Sequence, residues 1–141
     1  MTFIIFTCNF HQVIGEDVMR FSKQRESILE IVKGTYSHPT ADWIYAQARQ
    51  VIPNISLGTI YRNLGQLVDR KEIRALDVGG AIHYDGQVHD HQHFLCVECD
   101  RVYDIDIKSG DVVSLIETKI DHHVTECQVH LTGTCSICKQ N

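Results

Sequence analysis

The chain is predicted to be α+β and to divide in two: three short helices closed by a β-hairpin over residues 1–85, then a smaller α/β unit over residues 86–141. Three observations predict this. Apolar residues recur at helical spacing between Ser22 and Leu67, with caps and stops between the runs. The period then changes to two around Gly79-Gly80, as a hairpin requires. The composition also changes: residues 1–85 hold 9 Lys+Arg and 9 Asp+Glu, whereas residues 86–141 hold 4 and 9, together with six of the nine histidines. The formal net charge of −5 therefore lies in the second part, which is suited to binding cations.

Residues 1–19 are weakly patterned, and a short helix over 9–19 is compatible with them. Ser22 can cap the first clear helix. Ile28, Leu29 and Val32 form its apolar stripe, and Gly34 can end it. In HPTADWIYAQARQVIP, residues 38–53, Thr40 can cap a second helix. Ile44, Ala48 and Val51 would face inward there, and Pro53 would stop the helix. In NISLGTIYRNLGQLVDRKEI, residues 54–73, Ser56 can cap a third helix with Ile60, Leu64 and Leu67 inside. IRALDVGGAIHYD, residues 73–85, reads as the hairpin. Three helices and a hairpin in this order make a winged helix-turn-helix, in which the third helix enters the major groove of DNA. Thr59, Tyr61, Arg62 and Asn63 are the candidate readers on its exposed side, Arg62 for phosphate or guanine and Asn63 for a base edge. The same pattern fits a domain whose polar residues are merely solvated.

Gly86-Gln87-Val88 follows as a candidate hinge. HFLCV (93–97) and VYDID (102–106) read as strands. Residues 109–121 read as an amphipathic helix carrying Val112, Val113, Leu115, Ile116 and Ile120, and CQVHL (127–131) reads as a third strand. No run approaches the roughly 18 apolar residues of a membrane span. The start, MTFIIFTCNF, lacks the basic region and cleavage site of a signal peptide, so a cytoplasmic chain with reduced thiols is expected.

The cysteines are Cys8, Cys96, Cys99, Cys127, Cys135 and Cys138. Cys96-x-x-Cys99 and Cys135-x-x-Cys138 supply four thiolates, the ligand set of a closed tetrahedral zinc site. With no open position, such a site is structural. It would staple together a unit too small to be secure alone. The competing reading, a redox dithiol, lacks its βαβ setting. A zinc deaminase would need His-x-Glu ahead of Pro-Cys-x-x-Cys, and neither feature is present. The run HDHQHFLCVEC, residues 89–99, begins with His89, His91 and His93, which a strand would place on one face. Two or three of these imidazoles can hold one ion if other ligands arrive, and Asp85, Asp104 and His38 are candidates. A His/Asp set without thiolate suits Fe²⁺, Mn²⁺ or Zn²⁺ and should exchange more readily than four thiolates. His83 and His130 stand alone and read as surface or packed residues.

Taken together, RFSKQR (20–25), HPTADWIY (38–45), SLGTIYRNLGQL (56–67), HYD (83–85), HDHQHFLCVECDRVYDID (89–106) and LTGTCSIC (131–138) resemble the ferric-uptake-regulator family of metal-dependent repressors. The resemblance runs from about Arg20 to Cys138. It implies a cytoplasmic homodimer, not an enzyme, whose amino-terminal winged helix binds palindromic operator DNA and whose carboxyl-terminal unit dimerises and holds metals. It implies structural Zn²⁺ on Cys96, Cys99, Cys135 and Cys138, and regulatory Fe²⁺ or Mn²⁺ on His38, Asp85, His91, His93 and Asp104, one of each ion per chain. His89 has no ligand role in this pattern. Tyr61 and Arg62 match the recognition pair, and Arg20 matches a basic residue that reaches the minor groove.

Iron-sensing members usually carry Glu where this chain has Asp104, and peroxide-sensing members carry Asp. The resemblance therefore implies that Fe²⁺ at the His/Asp site reacts with hydrogen peroxide, oxidising His38 or His91 and ending repression. The alternative is an iron- or zinc-responsive uptake regulator without that chemistry. The chain departs from the family at an accessory metal site, where Gln92 and Cys127 replace an Asp and a His. These replacements argue against that site here. It also departs in having Arg62 where some peroxide sensors have Asn, and in having few basic residues before Arg20.

Overall fold

The computed structural model describes residues 23–127 and 129–140. The expected helix over 9–19, the Ser22 cap and Arg20 lie outside them. Helix α1 is described through residues 23–33 and buries Ile28 and Val32 completely. Gly34 N–H closes its last turn on the Glu30 carbonyl at 2.8 Å.

Helix α2 spans Ala41–Val51 and buries Ala41, Ile44 and Ala48. Two expectations fail there. Thr40 holds the cap position in extended backbone, but its side chain makes no capping bond. Val51 is 66% exposed, because the chain turns away at Ile52 and Ile55 fills the core in its place. Helix α3 spans Leu57–Asp69, and Ser56 caps it by accepting the Thr59 N–H at 3.1 Å. Ile60, Leu64 and Leu67 of α3 meet Ile28, Ile44 and Ile73 in the main core, which Tyr84 closes. Ile60 is fully buried. Ile60→Ala is expected to cost about 2–5 kcal/mol, read as a lower urea midpoint at unchanged slope.

Strands β1 (Arg74–Val78) and β2 (Ala81–Asp85) form the hairpin, with Val78 opposite Ala81 and Arg74 opposite Asp85. Gly79 and Gly80 have φ of 64° and 78°, as a type I′ turn demands of both central residues. An isolated bridge from Thr40 to His83, and a 2.9 Å bond from Tyr84 N–H to the Pro39 carbonyl, stitch β2 to the loop before α2. Beyond β2 the chain passes close to the end of α1. A Cβ on Gly86 would lie 2.8 Å from Lys33 Cα, so only glycine fits.

The second sheet has the order β4-β3-β5. Strand β3 (Gln92–Cys96) pairs antiparallel with β4 (Val102–Ile105) and parallel with β5 (His130–Gly133). It begins at Gln92, so His89 and His91 precede the strand and do not share its face with His93. Strand β5 starts three residues later than expected. Helix α4 spans Ser109–Glu117 and is four residues short of expectation. The Glu117 carboxylate takes the Val124 N–H at 2.9 Å, and the chain bends back. No residue of α4 is buried. A small second core of Leu76, Leu95 and Val102, with Val78 against it, joins the hairpin to this sheet.

Candidate metal centres

Cys96 ends β3, and Cys99 follows in the turn to β4. Cys135 and Cys138 follow β5, which lies beside β3 with Gly133 opposite Cys96. The parallel β3–β5 pairing thus brings two pairs 36 or more residues apart to one end of the sheet. All four sulfurs lie within 4.8 Å of one another, and Cys99 Sγ is 4.0 Å from Cys135 Sγ. Four thiolates on one zinc at the usual length of about 2.3 Å would be roughly 3.8 Å apart. The cage needs only a slight contraction to fit. Backbone amides already support it: Cys135 N–H points at Cys96 Sγ at 3.3 Å, and Cys138 N–H at Cys135 Sγ at 3.5 Å. The thiols divide in their proton affinity. The Tyr103 hydroxyl, then the Cys138 amide, hold Cys135 down at about 6. Its neighbours Cys135 and Cys99 push Cys138 up to about 12. Crowded sulfurs resist ionising together, and a dication removes that conflict. The set fits zinc.

The second centre lies where the hairpin, the loop before α2 and the β3–β4 pair meet. Asp104 is directly opposite His93 in the β3–β4 register. One oxygen, Asp104 Oδ1, lies 2.8 Å from His38 Nε2, 3.1 Å from His91 Nε2 and 3.6 Å from His93 Nε2. Asp85 Oδ2 lies 3.3 Å from His91 Nε2 and 3.5 Å from His93 Nε2, but 3.9 Å separates Asp85 Oδ1 from His38 Nε2. None of those three nitrogens has a hydrogen-bond partner, nor does Asp85 Oδ2, although all are buried. Unmet acceptors converging on one point are costly unless a cation sits among them.

The protonation states agree. Burial, above all, holds the His38 imidazole below its usual value and so neutral. Burial works to raise the Asp85 carboxyl, but the nearby His93 imidazole and the Gln87 N–H outweigh it and hold the group below the usual carboxylate value. His91 Nδ1 lies 2.8 Å from the His89 carbonyl, which can only accept, so Nδ1 carries the proton and Nε2 the lone pair. A neutral His38 imidazole, a His91 lone pair on Nε2 and an ionised Asp85 carboxylate are donors that suit Fe²⁺ or Mn²⁺. The Asp104 side chain is 30% exposed, while the four other candidate ligands are 1–7% exposed, so the centre opens to solvent on the Asp104 side.

His38 has φ of +50°, a strained value for a non-glycine residue. His83 Nδ1–H donates to the His38 carbonyl at 2.7 Å and helps to hold that conformation. His83 is indeed packed rather than a ligand, but it also orients one. A lone His in an alternating strand gave no sign of this. His130 is exposed.

The Ferric uptake regulator family model matches residues 16–132. The chain belongs to the ferric uptake regulator family. It is 32% identical over 124 residues to the peroxide-responsive repressor PerR of Staphylococcus epidermidis, covering 86% of this chain and 83% of that protein. The crystal structure of the Campylobacter jejuni peroxide stress regulator superposes with a TM-score of 0.76 at 26% identity, covering 93% of this chain and all of that one. The Helicobacter pylori ferric uptake regulator, described as having three functional metal binding sites, shares the fold with a TM-score of 0.76 at 17% identity over 98% of this chain and 99% of that one. No described helix is long and apolar enough to cross a membrane.

In this family member, two groups of metal-ligating side chains form among the described residues: Cys96, Cys99, Cys135 and Cys138, and His38, His91, His93 and Asp104, with the expected ligand Asp85 beside the second group and not within it. The position of the accessory site holds a polar clasp. Gln92 Nε2 donates to Ser109 Oγ at 3.0 Å, Ser109 donates from N and Oγ to the Asp90 carboxylate, and Gln92 Oε1 accepts the Val129 N–H. Of the candidate readers on α3, Tyr61 is half exposed and Arg62 is exposed. Thr59 is half-buried with its hydroxyl 2.9 Å from Ser56 Oγ. Asn63 requires correction. It is buried on the same side as Ile60, Leu64 and Leu67, and its amide donates to the Thr59 carbonyl at 2.8 Å. It is therefore not placed to read a base.

Proposed function

We propose that this chain is a dimeric repressor that needs a regulatory metal to bind its operator and loses that metal to peroxide. In this reading, residues 1–85 form a winged-helix head and residues 86–141 a metal-binding dimerisation unit. The observation that carries it is the second centre. His38 and Asp85 come from the head, and His91, His93 and Asp104 from the unit that follows. An ion on all five ties the two together. Two heads fixed in this way can match half-sites about 34–36 Å apart on a two-fold operator.

Dimerisation is supported by the apolar residues that the isolated chain leaves exposed. Leu115, Ile116 and Ile120 in and after α4, and Leu131 on β5, are each 38–65% accessible. An apolar patch of this kind is a usual site for a second copy. Tyr61 and Arg62 are exposed on α3 as the reading pair, with Thr59 at the edge of that face. Arg20 is assigned with them on family resemblance.

Peroxide sensing is supported by Asp104 and by the relatives named above. Ferrous iron, when bound, supplies the electrons that reduce hydrogen peroxide beside the ligand imidazoles. The chain's part is to hold His38 and His91 close to the open carboxylate and otherwise shielded from water.

Selection from a random duplex library with zinc-loaded protein and Mn²⁺ is expected to return a two-fold symmetric site. Arg62→Ala is expected to weaken binding to that site by about 1–3 kcal/mol. Enrichment of no symmetric site, or binding indifferent to added Mn²⁺, would overturn the proposal.

A further inference from the structure

Arg74 opens β1, directly opposite the candidate ligand Asp85 in the hairpin register. Its side chain leaves the hairpin for the connecting segment. A single terminal nitrogen, Nη2, donates to the Val88 carbonyl at 2.7 Å and to the His89 carbonyl at 2.8 Å. The His89 carbonyl also accepts His91 Nδ1–H at 2.8 Å. The His89 ring lies against that of His91 at a tilt of 36°, with centroids 4.5 Å apart. One carbonyl is thus held from two sides, by a cation on the hairpin and by a ligand imidazole.

We infer that Arg74 is a positioning residue for the regulatory metal. It fixes the His89 carbonyl, and that carbonyl fixes the tautomer and ring direction of His91. The carbonyl has to lie in the imidazole plane to keep the proton on Nδ1 and the lone pair on Nε2, facing Asp104 and Asp85. His89 and His91 lie outside β3, so no strand ladder sets the backbone there. The guanidinium supplies what the ladder does not. It also links the base of the hairpin to the ligand segment by a path that does not pass through the ion. A group that orients a ligand through its other ring nitrogen commonly changes metal affinity about 10–100-fold.

The inference rests on the regulatory reading of the His/Asp centre, and the test separates the two. Wild-type, Arg74→Met and Arg74→Lys proteins are loaded with zinc and titrated with Mn²⁺ against a fluorescent chelator. The same samples give zinc content, the urea midpoint and, without Mn²⁺, the His91 tautomer by ¹⁵N NMR. Met keeps the apolar stem and removes both donors, whereas Lys restores a donor cation. Arg74→Met is expected to bind Mn²⁺ about 10–100-fold more weakly and to lose the single Nδ1–H tautomer of His91. Zinc content and the urea midpoint should stay near wild type, and Arg74→Lys should recover much of the affinity. Mn²⁺ affinity in Arg74→Met within about twofold of wild type would overturn the inference. So would losses in both variants that track the urea midpoint, since Arg74 would then be structural only. If wild type itself takes up no Mn²⁺, the regulatory reading fails first and this inference with it.

Discussion

Cys96→Ser is expected to release zinc and to unfold the carboxyl-terminal sheet, whereas Asp104→Ala should leave the fold standing and remove the metal response alone. The two residues belong to neighbouring strands and to centres of opposite character. Cys96 is completely buried at the end of β3, with the Cys135 amide directed at its sulfur. Around it the sheet has few other supports: no residue of α4 is fully buried, and the second core holds only Leu76, Leu95 and Val102 with Val78. Zinc bound by small domains contributes about 10–16 kcal/mol of apparent folding energy, comparable with the whole stability of an ordinary domain at about 5–15 kcal/mol. Losing one thiolate is therefore expected to abolish zinc retention against a chelator and to remove the cooperative melt of this part. Asp104 is the exposed member of its cluster, and among the described contacts it touches the three imidazoles only. Removing it is expected to leave the metal-free stability nearly unchanged, within about 1 kcal/mol. Metal content, thermal melts and Mn²⁺-dependent DNA binding of the two variants check this. Equal thermal damage from both would contradict the division between a structural and a regulatory centre.

What could be read in advance followed how local the cause is. The Ser56 cap, the Ile60–Leu64–Leu67 stripe and the Gly79-Gly80 turn depend on residues a few positions apart, and the structure has each of them. The two Cys-x-x-C pairs were legible because the spacing already carries the chemistry. Asn63 was misplaced because a polar residue at helical spacing between Ile60 and Leu67 is buried by geometry, whatever its type. Val51 was misplaced because the turn at Ile52 decides where the stripe ends. Strand β3 begins at Gln92, one residue ahead of the expected run 93–97, so His89 and His91 stay outside it and do not share a strand face with His93. The support residues were hidden for a different reason. His83 acts on His38 from 45 positions away and Arg74 on the His89 carbonyl from 15, so only the folded chain brings them together.

The iron- and manganese-loaded forms of the protein are expected to differ in their response to hydrogen peroxide. Both forms should bind the selected operator before exposure. Afterwards the iron form should lose binding and gain the mass of one oxygen atom on the peptide containing His38 or His91, while the manganese form keeps its mass and its DNA. The choice of residues follows from distance and access. The centre is open on the Asp104 side, so a small oxidant arrives there. His38 Nε2 and His91 Nε2 lie 2.8 and 3.1 Å from Asp104 Oδ1, and His93 Nε2 lies farther off at 3.6 Å. An oxygen on either imidazole spends or crowds the lone pair that faces the ion, leaving a cage one neutral donor short. In the proposed reading His38 belongs to the winged-helix head, so its loss would also sever the tie to the proposed dimerisation unit and free the half-site spacing. Asp104→Glu offers a control within the same site, because a longer carboxylate changes the opening but keeps the charge. Slower oxidation in that variant at unchanged Mn²⁺-dependent binding would agree with entry at Asp104. If the iron form keeps binding DNA after peroxide, or the added oxygen falls on cysteine alone, the peroxide reading fails and a metal-responsive uptake regulator takes its place.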